Sequence, residues 1–191
     1  PIIKAPSYLV VFRRQWIGVK HARLYAEIKA LADCWRARWL VIDATGVGAG
    51  LASFLGNAMP GKVLPFVFNS KNKSELGWSF LGVIDSGRWK EYDPDPGPNP
   101  NPSLKGRESE QEEFFHQLGF CQFEIMPGPE KKMRWSVPEG TRDPATGELV
   151  HDDLILSAAL VGVLEEQTWG SSSPAVVIQG VDPLAEMDKG F

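Results

Sequence analysis

The chain has 191 residues, 43% apolar and 23% charged, with seven Trp and ten Phe, which excludes a disordered chain and leaves room for one medium domain with a real core rather than two large ones. A net charge of −4 does not advertise a nucleic-acid binder, although local basic groups govern phosphate contact more than the total does. No stretch reaches the roughly 18 apolar residues of a membrane span, the amino terminus has no secretory pattern, and Cys34 and Cys121 lack metal or disulfide spacing; the expectation is an intracellular protein with buried thiols.

"SYLVVFRRQ" reads as a strand, because Leu9, Val10, Val11 and Phe12 are consecutive residues of high strand propensity. Leu24, Ile28, Leu31 and Trp35 then repeat at helical spacing and predict an amphipathic helix. "WLVID" is a short buried strand, and "GLASFLGNAM" a helix carrying Leu51, Phe54 and Leu55, ended by Gly56 and Pro60. "KVLPFVFN" is a third strand whose Pro65 marks an edge or a bulge. A third helix follows, with Ser74 as its cap and Leu76, Phe80, Val83 and Ile84 on its apolar side. This alternation predicts an α/β layered domain with parallel crossovers.

The five prolines of "DPDPGPNPNP", residues 93 to 102, predict a mobile loop. "SEQEEFFHQLGF" resumes as a helix, "CQFEIMP" and "MRWSVP" as an antiparallel pair, and "RDPATGEL" as a turn. In "HDDLILSAALVGVLEEQ" the small and apolar residues Ile155, Ala158, Ala159, Val161, Gly162 and Leu164 predict a final helix packed closely on a sheet. The domain therefore occupies 1–169, and 170–191 reads as a flexible tail.

The glycines after Asp43, in "VIDATGVGAG", run G-x-G-x-G and miss the dinucleotide fingerprint; no phosphate-loop lysine follows. A carboxylate at a strand end would also repel a phosphate on the next helix terminus unless a cation lay between them. Helix capping is the alternative reading of Asp43. Asp152 and Asp153 open the final helix and exceed what one cap requires. Carboxylates gathered from distant segments suit Mg2+ or Mn2+, hard ions that take oxygen ligands; two such ions about 3.5–4 Å apart can cleave a phosphodiester.

"VIDATGVGAG", then "SGRW", then "HDDLILSAAL", in that order, resemble the nuclease domain of phage terminase large subunits, over most of residues 7 to 168. The resemblance implies a ribonuclease H-like mixed sheet flanked by helices, and a metal-dependent endonuclease that cuts double-stranded DNA during genome packaging. It implies that Asp43, Asp152 and Asp153 are catalytic metal ligands for two Mg2+ or Mn2+ ions, with either aspartate of the pair as the principal one. His151 matches the preceding position, where contact with a phosphate or the site water and a purely structural role both stay open. The implied partners are a terminase small subunit, a portal protein and a packaging ATPase domain, in the bacterial host cytoplasm.

The family's first acidic ligand lies on an opening strand, and this chain has no acid before Glu27. The expectation is an amino-terminally truncated copy lacking its opening strand or strands. Its leading function is the nuclease; a catalytically silent module binding DNA or a packaging partner is the alternative, and a transposase or junction resolvase fits "DATGVGAG" less well. Candidate phosphate contacts are Lys71, Lys73, Arg88, Lys131, Lys132 and Arg134, each with a solvated face as its bland alternative.

Overall fold

The computed structural model describes residues 5–92 and 108–169, so the predicted loop at 93–102 and the tail at 170–191 lie outside the described residues. Strand β1 (Tyr8–Leu9) pairs in parallel with β4 (Trp89–Lys90). Strand β2 (Leu40–Asp43) pairs in parallel with β3 (Val63–Phe66), Asp43 standing opposite Phe66. The helix α2 (Gly48–Ala58) makes the crossover that a parallel pair requires. Strands β5 (Gln122–Ile125) and β6 (Met133–Ser136) form the expected antiparallel pair, and Arg142 bridges Leu149 across the expected turn.

The α/β class is as read, but the described residues hold three two-stranded ladders rather than one continuous sheet. A cleft of about 590 Å³ separates β1 from β2, lined by Tyr8, Val10 and Phe12 on one side and Leu40 and Val41 on the other. The first strand is also shorter than its apolar run, because backbone pairing with β4 stops at Val10, whose N–H donates to the Lys90 carbonyl.

Helices α1 (His21–Cys34), α3 (Ser70–Asp85), α4 (Glu108–Phe120) and α5 (Asp153–Ala159) complete the frame. The final predicted helix divides: after α5 the backbone tightens into a 3-10 segment, Leu160–Glu166. Gly162 there lies so close to α3 that an added Cβ would meet the Ser79 hydroxyl at 2.9 Å, so the segment packs on that helix as well as on strand β2. Gly56 does not end α2, which continues to Ala58.

Two apolar clusters result. The larger joins Leu76 and Phe80 of α3, Phe114 of α4, Trp135 of β6 and Ile155 of α5. The smaller joins Ala32, Leu55 and Met59, with Tyr25, Ile28, Leu40 and Ile42 against them. Full burial of a Leu55-sized side chain stabilises by about 1.5–3 kcal/mol, so each cluster is a substantial anchor.

Three sequence expectations are corrected. The cap of α3 is Asn69, whose side-chain oxygen accepts from Asn72 N–H at 2.8 Å; Ser74 is interior and buried, its hydroxyl accepting from Met133 N–H of β6. Cys34 is exposed and Cys121 half-buried, because the stripe of α1 runs through Ile28 and Ala32 and turns Cys34 outward. Phe54 and Ile84 also face solvent, outside the apolar sides of their helices.

Candidate acidic site between strand β2 and helix α5

Asp43 ends β2 and is exposed. Its Oδ1 accepts from Thr45 N–H at 2.7 Å, and the Thr45 hydroxyl accepts from Phe68 N–H at 2.8 Å. This Asx turn fixes the carboxylate at the strand end and ties the loop after β3 to it. Helix α2 begins immediately beneath: a Cβ on Gly48 would sit 2.2 Å from the Asp43 carbonyl oxygen, so only glycine permits that approach. No side chain caps α2, whose N-cap is Val47. Asp43 therefore orders a turn, not a helix end, and the glycines serve close packing.

At α5 the side-chain cap does not come from the aspartates. Asp152 occupies the N-cap position but makes no side-chain cap hydrogen bond. Leu154 N–H instead donates to Oε1 of Gln117, a fully buried residue of α4, at 3.0 Å. Gln117 Nε2 donates in turn to Glu113 Oε1 at 2.9 Å. With a cap supplied from another helix, neither aspartate is needed as a cap, while Asp153 keeps the first-turn position at which the helix dipole favours an acid.

Asp43 and Asp153 line one cleft of about 500 Å³, whose apolar wall includes Trp16, Leu31, Ile42, Phe68 and Leu156. Asp152 does not line it: its Oδ2 lies 3.8 Å from Lys73 Nζ. His151 is exposed. Among the described residues no three His, Cys, Asp or Glu side chains gather closely enough to hold a metal ion. The donor chemistry of Asp43 and Asp153 fits a hard divalent cation that keeps waters, whereas their number does not fit a closed two-ion cage.

The basic candidates divide by partner. Arg88 is structural: it donates to Glu165 Oε1 and to the Pro6 carbonyl, and Glu165 also receives the Tyr8 hydroxyl. The Arg88 guanidinium holds the Glu165 carboxyl below the usual range, and burial pushes the Tyr8 phenol up. Lys71 faces Glu75 at 3.9 Å, and Lys132 faces Glu130 at 2.8 Å. Lys131, Lys132 and Arg134 are exposed on the β5–β6 hairpin, which docks on α3 through Met133 N–H to Ser74 and Trp135 Nε1 to the Lys73 carbonyl. Gln117 was not marked by the sequence, because a polar residue on an amphipathic helix reads as solvent-facing.

No protein-family model matches the chain, and no solved structure matches it. A curated protein named "Probable terminase, ATPase subunit", from Haemophilus phage HP1 (strain HP1c1), is 24% identical over 93 residues, 48% of this chain. That stretch is 15% of the relative's own length. The chain is thus similar over about half its length to a phage terminase subunit. No helix among the described residues is long and apolar enough to cross a membrane.

Proposed function

We propose that the chain is the nuclease-domain portion of a phage DNA-packaging terminase large subunit, ribonuclease H-like in architecture, which cuts double-stranded DNA with divalent metal. The observation that carries this reading is Asp43 and Asp153 lining one cleft from opposite parts of the fold, each free of capping duty. The similarity to a terminase subunit supports the packaging role. Asp43 and Asp153 would hold Mg2+ or Mn2+, and such ions when bound activate a water and stabilise the leaving oxygen. The chain's own contribution is placement: the Thr45 turn fixes one carboxylate and the Gln117 cap releases the other. The exposed cations of the β5–β6 hairpin would meet DNA phosphates, and the working partners would be the packaging ATPase domain, small subunit and portal in the host cytoplasm.

Plasmid nicking in Mn2+ tests the proposal: Asp43→Asn and Asp153→Asn abolish it, and equal nicking by the parent in chelator overturns it. The lack of a three-acid group among the described residues favours a second reading, a silent module that binds DNA or a packaging partner. Salt-sensitive DNA retention without Mn2+-dependent nicking would select that reading.

A further inference from the structure

We propose that the carboxy-terminal segment of this chain seats residues 175–178 as a parallel strand in the cleft between β1 and β2, joining those two ladders into one sheet. This inference is independent of the proposed nuclease function.

The cleft has the backbone of an unfilled strand position. Tyr8 and Val10 N–H donate to the Arg88 and Lys90 carbonyls, so the alternation of a strand turns the Leu9 amide away from β4. Leu40 and Ala44 N–H donate to the Lys62 and Phe66 carbonyls, which turns the Val41 amide away from β3. Leu9 and Val41 both line the cleft, and the rest of its wall is mostly apolar. Two such edges at one apolar gap are a template for pairing. Trp39 lines the same gap, and its indole N–H is buried with no hydrogen-bond partner among the described residues. A strand there brings backbone carbonyls to an indole that otherwise carries the cost of an unmade bond.

The described chain ends where such a strand would start. The Thr168 carbonyl accepts from Arg38 Nη2 at 3.2 Å, just before β2, and the Trp169 ring lies 6.4 Å from that of Tyr8, which opens β1. A chain leaving between the starts of both strands runs parallel to each. The sequence beyond suits that path. Gly170 and three serines supply up to about 14 Å of reach, and Pro174 takes the first strand position, where no donor is needed. Ala175, Val176, Val177 and Ile178 then form the continuous apolar run of a strand buried on both faces, matching the four residues of β2, before Gln179 and Gly180 close it. Tethering favours this segment over a strand from a second copy, because a short linker raises its effective concentration at the cleft.

Nuclear Overhauser contacts and amide exchange in the full chain test the seating. The Leu9 and Val41 amides are expected to show contacts to residues 175–178. Val176→Asp/Ile178→Asp speeds exchange at Leu9 and Val41 by about tenfold or more, while Leu40, bonded to Lys62, keeps its rate. Absence of the contacts in the parent overturns the proposal, whether or not the variant folds. Equal exchange at Leu9 and Val41 in parent and variant overturns it as well. Protection that falls on dilution assigns the strand to a second copy and overturns seating within one chain.

Discussion

Leu154 and Gln117 meet across the interface of α5 and α4: the backbone N–H of the first donates to the buried side-chain oxygen of the second at 3.0 Å. This bond replaces the local cap that "HDD" offers, so Asp152 can pair with Lys73 and Asp153 stays exposed. Replacing Gln117 with Met keeps the volume but strands the Leu154 N–H and removes the donor to Glu113. The cost expected is about 1–3 kcal/mol, read as a lower urea midpoint with an unchanged slope.

Gly48 is the second structural requirement of the site. Alanine there collides with the Asp43 carbonyl oxygen, while alanine at Gly50, in the same helix, meets nothing within 4 Å. Gly48→Ala therefore destabilises by about 1–3 kcal/mol and weakens Mn2+ binding through a displaced strand end. Gly50→Ala stabilises by up to about 1 kcal/mol. Paired thermal melts distinguish the two.

Acid sensitivity centres on Glu91. Burial alone would raise its carboxyl, yet bonds from Arg13 at 2.6 and 2.7 Å, Trp89 at 2.8 Å and Gln111 at 3.4 Å hold it below the usual glutamate range. A depressed folded-state value means that its stabilisation is full above the unfolded-state value and is lost as pH falls through the folded one. The melting temperature should fall in that acid window, and Glu91→Gln should flatten the limb while lowering stability at neutral pH. A parallel acid limb in the variant would refute the role.

DNA contact should follow the hairpin rather than the full set of basic residues. Lys131→Glu with Arg134→Glu is expected to weaken duplex binding about equally on all sequences and to flatten its salt dependence. Arg88→Gln should lower the melting temperature and leave DNA affinity in place, because its guanidinium is spent on Glu165 and Pro6. Fluorescence anisotropy at two salt concentrations checks both.

Much of this was legible in the residues. Apolar spacing located α1 and α3, and the turn residues located the loop between Arg142 and Leu149, whereas the close approach of Gly48 to Asp43 came only with the structure. Ser74 is not the cap of α3, which is the local Asn69; its hydroxyl instead bonds Met133, and that bond, like the one from Leu154 to Gln117, spans a separation no local motif encodes. The basic residues divided for the same reason, since Glu165 lies far along the chain from Arg88. The β5–β6 pair was legible as to partner and direction, whereas β4, the two-residue partner of β1, was not, and neither was the gap between β1 and β2, which depends on how separate ladders stack.

The two apolar clusters carry a consequence for how the acidic mouth is kept together. Asp43 ends a strand held by both, since Leu40 and Ile42 pack on the smaller core and Val41 on the larger, whereas Asp153 opens a helix anchored in the larger alone. Strand β2 is thus the seam between the two nuclei, and amide exchange along it should slow only as far as the less stable of them allows.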